Sequence, residues 1–260
     1  MSWQDKRISH LIAGVGVTLV GDRYSAWSSQ VATGGASQGM DANRPTRSTT
    51  KVLGREGAVF ARASSNWMQL ADVGAALSGA TPGHAFGLLL TLNGVGVDQY
   101  LIGAGSSDDE FRSLRINGAN QYFYAARYSG NPNQSASFGP GSYFVATKTY
   151  ALIYSMSGTS AQAIARPLDG SGDASGTGTV TLAGGPTLEV GVLGGRYING
   201  SPERHADITL HEAMVFDDAL SGDVANEAGG GEVWDLMPYL TSPLSAGRAT
   251  YYHRLLAGAA

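Results

Sequence analysis

Residues 194–240 read GGRYINGSPERHADITLHEAMVFDDALSGDVANEAGGGEVWDLMPYL, and this closing stretch decides the fold class. Gly194, Gly195 and Arg196 form a turn. Residues 207–216 then alternate as a long strand, which places Ile208, Leu210, Glu212, Met214 and Phe216 on one face. An acid on an apolar face must be ion-paired or hydrogen-bonded, so Glu212 is assigned a structural role. Asp217 and Asp218 make a corner, and Asp217 is read as structural. Ser221 is a helix N-cap with Asp223 in the first turn. That helix must stop by Gly229, Gly230 and Gly231, and residues 232–237 add one more turn before Pro238.

Working outward, residues 58–63, 67–70, 84–92, 99–102, 111–116 and 121–127 carry strand patterns separated by Gly, Ser, Asn and Asp. Residues 143–145, 150–156, 161–166 and 187–193 continue the series. The near-continuous apolar run 84–92 suits a strand buried on both sides, and Asn117-Gly118 marks a hairpin. Residues 11–20 read as the first strand rather than a signal peptide, because Gly14 and Gly16 interrupt the run and no small-residue cleavage site follows. Residues 170–178, GSGDASGTG, read as a low-complexity surface loop. The expected architecture is all-β: a two-sheet antiparallel jelly-roll sandwich with one short C-terminal helix. Residues 1–240 form one domain, and residues 241–260 a tail that serves as a docking segment together with residues 1–10.

Composition narrows the function. A net charge of −4 with scattered Lys and Arg argues against nucleic acid, whose phosphates require a basic surface. The absence of cysteine excludes disulfides and thiolate metal sites. No apolar stretch reaches the roughly 20 residues that a membrane helix needs, so no membrane insertion is expected.

Two segments carry a family resemblance. Ala26-Trp27 opens a polar loop, Arg44-Pro45-Thr46 closes it, and Gly57-Ala58-Val59-Phe60 leads a strand followed by Ser65-Asn66-Trp67-Met68-Gln69-Leu70. With the closing stretch 194–240, this order is similar to concanavalin A-like lectin/glucanase (laminin-G-like) sandwiches of bacterial surface and phage virion proteins. The resemblance implies binding rather than catalysis, a structural Trp27, and an acid such as Glu212 used for pairing.

The glycosidase branch of that superfamily carries Glu-x-Asp-x-x-Glu on one strand. Retaining hydrolysis needs carboxyls about 5 Å apart, and no such run occurs here. No catalytic residue is assigned. The densest acidic group, Asp108, Asp109 and Glu110, follows Gly105-Ser106-Ser107 and reads as a solvated turn, with Ca2+ as the minority reading. No other cofactor is indicated. The five histidines show no metal spacing, and His84 and His211 read as surface or strand-end residues.

Sugar binding needs flat aromatic faces beside hydrogen-bonding groups. In residues 121–128, Tyr122, Tyr124 and Ala126 share one face while Phe123, Ala125 and Arg127 share the other. Tyr122, Tyr124 and Arg127, with Tyr100, Tyr197 and Asn199 from neighbouring segments, are the candidate carbohydrate-binding residues. The competing reading makes Tyr122 and Tyr124 ordinary packing residues of a sheet.

The leading expectation is a non-enzymatic virion protein of a phage or phage-like particle: a head decoration, head spike or tail fibre. It would be homo-oligomeric, docked on capsid or tail proteins, with a host surface glycan as candidate ligand. The alternative is a free or cell-surface bacterial lectin, and a glycoside hydrolase is a distant third.

Overall fold

Frequent turn residues keep the strands short, and the chain compensates with many of them. The computed structural model describes residues 2–31, 33–79, 83–107, 110–128, 134–181, 184–198 and 201–244. The first strands are β1 (Arg7–Ile12), β2 (Val17–Val20), β3 (Arg23–Trp27), β4 (Ala36–Ser37), β5 (Thr46–Val52), β6 (Arg55–Phe60) and β7 (Met68–Leu70). A one-turn helix α1 (Val73–Ala76) precedes β8 (His84–Leu92), β9 (Gln99–Ser107), β10 (Glu110–Ile116), β11 (Tyr122–Arg127) and β12 (Gln134–Phe138). Then come β13 (Thr149–Ser157), β14 (Ser160–Pro167), β15 (Ala174–Thr179), β16 (Val190–Leu193), β17 (Arg196–Ile198), β18 (Ser201–Glu203) and β19 (Ile208–Phe216). Helix α2 (Glu232–Thr241) closes the described fold.

All pairings are antiparallel. The back sheet runs β15–β14–β13–β8–β19, and β1 and β6 share the far side of β19. The front sheet runs β4–β7–β16–β9–β10–β11–β12. Strands β5 and β3 bridge the two, so the sandwich is strongly curled. The main core lies between the sheets, with Leu88, Leu90 and Leu152 facing Ile102, Leu114 and Ile116. A second apolar layer covers the outer face of the back sheet: Leu89, Ile153, Met214 and Phe216 pack under Leu236, Met237 and Leu240 of α2. This is why β8 is apolar at nearly every position: each of its faces meets a different layer.

Several expectations are corrected. The run 11–20 is two strands, because Gly14 and Gly16 turn the chain at positive φ. Residues 143–145 form no strand. Residues 174–179 are not a loop but the strand β15. Its Gly176 and Gly178 point inward at β12, and a Cβ on Gly178 would lie 2.6 Å from that of Ala136. The alternation Ser-Gly-Thr-Gly-Thr therefore closes one side of the sandwich by letting two strands approach. Residues 2–10 are part of the fold rather than a docking piece: Trp3 is buried against Phe216 and Tyr239, and β1 pairs with β19. The last described residue, Leu244, donates its amide to the Leu53 carbonyl. The rest of the tail lies outside the described residues.

The helix also moves. No α-helix follows Ser221 directly; α2 begins after the glycines and contains Pro238. Ser221 still caps it, across eleven residues. Its hydroxyl accepts from the Glu232 amide at 3.3 Å, and the Glu232 carboxylate accepts from the Ser221 amide at 2.9 Å. This is the reciprocal logic of a capping box, made through space.

The most consequential correction concerns β19. Its register against β8 shifts between Leu210 and Glu212, so His211 is an extra residue. A bulge reverses the parity of everything after it. Ile208, Leu210, Ala213 and Val215 face the main core, whereas Glu212, Met214 and Phe216 face the helix layer.

Candidate functional site

The alternation on β11 is as expected, and the tertiary structure decides which face is inside. Tyr122 and Tyr124 point between the sheets, at 2% and 0% exposure. The Tyr124 ring stacks on Tyr154 at 4.5 Å, and Tyr122 lies edge-on to Phe144 at 6.0 Å. Burial pushes the Tyr124 hydroxyl up to about 12 and that of Tyr122 well above its ordinary value. A sugar cannot reach either ring, so both are corrected to core residues. His84 and His211 are likewise buried rather than on the surface; His84 does open its strand, as expected, whereas His211 lies within β19. His84 packs against Phe86, Tyr124 and Tyr154, while His211 bonds the Glu56 carbonyl and the Thr91 hydroxyl.

The outer face of the front sheet carries the polar chemistry. Cross-strand pairing aligns Phe111 with Arg127, and Ser113 with Ala125, on that face. Strand β9 has an extra residue at Leu101, which brings Tyr100 opposite Arg115. The hairpin of β17 and β18 folds over this face, and Gly105 makes room for it: a Cβ there would sit 2.5 Å from the Tyr197 carbonyl oxygen. Arg196 is thereby laid over the rings of Tyr100 and Phe111, at 5.3 and 4.6 Å, and Arg115 lies 5.5 Å from Tyr100. Guanidinium groups stack well on aromatic faces, so these arginines are held in place by buried rings.

Asp98 organises the group. Its Oδ2 accepts from Arg115 Nη1 at 2.8 Å and lies 3.4 Å from Arg204 Nη1, while its Oδ1 accepts from the Gly118 amide at 3.0 Å. Arg62 donates to the Asp98 carbonyl at 2.9 Å. Arg204 is half exposed and Asp98 one-third exposed, so carboxylate and guanidinium edges both reach solvent. Of the expected binding residues, Tyr197 and Arg127 lie on or over this face and are half-buried. Tyr100 is also there, but at 2% exposure it is the bed beneath the arginines rather than a platform for ligand. Asn199 lies outside the described residues.

Sequence reasoning missed Asp98, Arg115 and Arg204. The one available signal was charge in an otherwise apolar strand: FRSLRI holds two arginines of opposite parity. Arg112 points into the core and donates to the Gly79 carbonyl, while Arg115 points out.

Glu212 has no access to solvent. Its Oε2 accepts from Arg55 Nε at 2.5 Å and its Oε1 meets His10 Nε2 at 2.6 Å. Arg55 also donates to the carbonyls of Tyr239 and Ser242, so one buried cluster ties β1, β6 and β19 to the end of α2. Trp27 is fully buried, and its indole donates to the Ile12 carbonyl. Asp217 is exposed and contributes its backbone amide to the Lys6 carbonyl; the corner's side-chain pairing is made by Asp218 with Lys6. Among the described residues, no group of three His, Asp or Glu side chains could hold a metal. Asp108 and Asp109 lie outside the described residues, and Glu110 accepts from Ser106 and the Thr187 amide. Among the described residues no helix is long and apolar enough to cross a membrane.

No protein-family model matches the chain, and no curated protein matches it in sequence. Solved structures do show similarity. The CBM40 module of a Ruminococcus gnavus IT-sialidase, bound to α2,3-sialyllactose, aligns with a TM-score of 0.46 and 14% identity over 58% of this chain and 84% of the module. A Trypanosoma rangeli sialidase in complex with sialic acid aligns with a TM-score of 0.46 and 16% identity, over 84% of this chain but 31% of that protein. A leech intramolecular trans-sialidase gives a TM-score of 0.45 and 15% identity over 58% of this chain and 24% of its own. The chain thus spans most of the isolated module and under a third of the two whole sialidases.

Proposed function

We propose that this chain is a non-catalytic carbohydrate-recognition module that binds its ligand on the outer face of the front sheet. The observation that carries this reading is the group formed by Arg115 and Arg196, stacked on Tyr100 and Phe111, with Asp98 and Arg204 paired to it and Tyr197 adjoining Arg196 in the covering hairpin. A sugar hydroxyl both donates and accepts, so a carboxylate next to guanidinium groups can satisfy both of its roles. The buried aromatic bed limits the side-chain ordering that binding would otherwise cost. The lectin reading gains from this geometry; a place on a virion, which the sequence resemblance implies, gains no observation from the fold.

A glycan array tests the proposal. Sialyllactose belongs on it because the Ruminococcus module binds it, together with neutral oligosaccharides. The expected result is selective binding that Arg204→Ala and Tyr197→Ala weaken without changing the melting temperature. An array without any bound glycan, or binding indifferent to both substitutions, overturns it.

A further inference from the structure

Beyond the edge of the helix layer, the outer face of β13, β14 and β15 opens into a groove of about 630 Å3. Its lining includes Ser157, Ser160, Gln162, Thr177, Thr179 and Leu220. Register places Ser157, Ser160 and Thr179 in one row across three strands, with Gln162 and Thr177 in the next. Neighbouring strands lie about 4.8 Å apart and alternate residues about 6.7 Å apart, so the hydroxyls form a mesh on the scale of one pyranose ring. The inward glycines of β15 force Thr177 and Thr179 outward, so one alternation both closes the sandwich and presents the hydroxyls.

The groove is held open by its own wall. Ser155 Oγ accepts from the Leu220 amide at 2.8 Å and donates to its carbonyl at 3.3 Å. Gln162 donates to the Gly222 carbonyl at 2.8 Å and accepts from the Val224 amide at 3.2 Å. These bonds fix residues 220–224 and leave the hydroxyls of Ser157, Ser160, Thr177 and Thr179 without a side-chain hydrogen bond among the described residues. Among the described residues no Lys, Arg, Asp or Glu lines the groove, so no opposite charge there would pair with a charged ligand. Leu220 supplies an apolar contact for the C–H face of a ring.

We infer that this groove is a second ligand site, specific for an uncharged saccharide and independent of the front-face site. With no aromatic platform among its lining residues, its affinity is in the millimolar range, about −4 kcal/mol by conversion.

The test is an amide NMR titration of the whole protein with neutral oligosaccharides (cellotetraose, maltotetraose and N-acetylchitotetraose) to about 10 mM. At least one should shift the amides of β13–β15. The near-isosteric double variant Thr177→Val, Thr179→Val should weaken that binding about tenfold. Ser157→Ala, a milder change, should weaken it in the same direction if the double variant does not fold. Arg204→Ala and Tyr197→Ala should leave it unchanged, which separates this site's failure from that of the front face. Absence of groove shifts across the panel, shifts that survive the threonine substitutions, or a stronger groove response to an acidic oligosaccharide each overturn the inference.

Discussion

The outer faces of the two sheets use the same kinds of residue for opposite ends. On the back sheet, Glu212, Arg55 and His10 are sealed under α2 and the Ser242 carbonyl that follows it, and each is spent on its neighbours. On the front sheet, Asp98, Arg115 and Arg204 make similar pairs at the surface, where a ligand can compete for them. Coverage, not residue type, decides whether an ion pair is a buried fastening or stays open to solvent and to a ligand. In water a carboxylate–guanidinium contact is worth little, whereas a buried one that loses a partner strands a charge.

Glu212→Gln should break the contrast most severely. It leaves Arg55 buried without its anion and should cost about 3–5 kcal/mol, read as a lower midpoint in urea unfolding. An unchanged midpoint would mean that the cluster holds nothing together. Gly178→Val comes next. Its side chain would press on Ala136, and overpacking of this kind costs about 1–3 kcal/mol by thermal melting.

Acid should act in two stages. Burial, the largest influence, holds His205 and His211 below their ordinary value of 6.5. Their folded values are depressed, so the unfolded chain takes up protons first. The associated stability is complete above 6.5 and falls as the pH drops through the folded values. The Arg47 guanidinium holds the Glu56 carboxyl below its ordinary 4.5, so its contribution is lost in a second step below that pH. Unfolding midpoints at pH 7.5, 5.5 and 3.5, taken in order about each step, should fall twice; a flat profile contradicts the assignment.

The smallest stability effect belongs to Arg204→Ala. Its half-exposed pairing should be worth under about 1 kcal/mol, while glycan binding should suffer. A large loss of stability with intact binding would reverse the roles of the two faces.

Much of this was legible residue by residue. The strand 84–92 has the expected bounds, and β19 begins one residue after expectation, because long apolar runs flanked by turn residues admit few alternatives. The parity of β11 was equally plain: Tyr122 and Tyr124 on one side, Arg127 on the other. Which side faces the core was not, since either face of that strand could be buried. Asp98, Arg115 and Arg204 are far apart in the chain, and no local pattern announces that they converge on Tyr100.

By itself the sequence determined an all-β class, most strand positions and the need for Glu212 to have partners, because periodicity, turn chemistry and the cost of buried charge are local or nearly local properties. Tertiary structure decided the rest. The extra residue at His211 turned Glu212 toward the helix layer, Ser221 capped a helix eleven residues away, and the β17–β18 hairpin carried Arg196 onto Tyr100. Each of these depends on which distant surfaces meet, and only packing settles that.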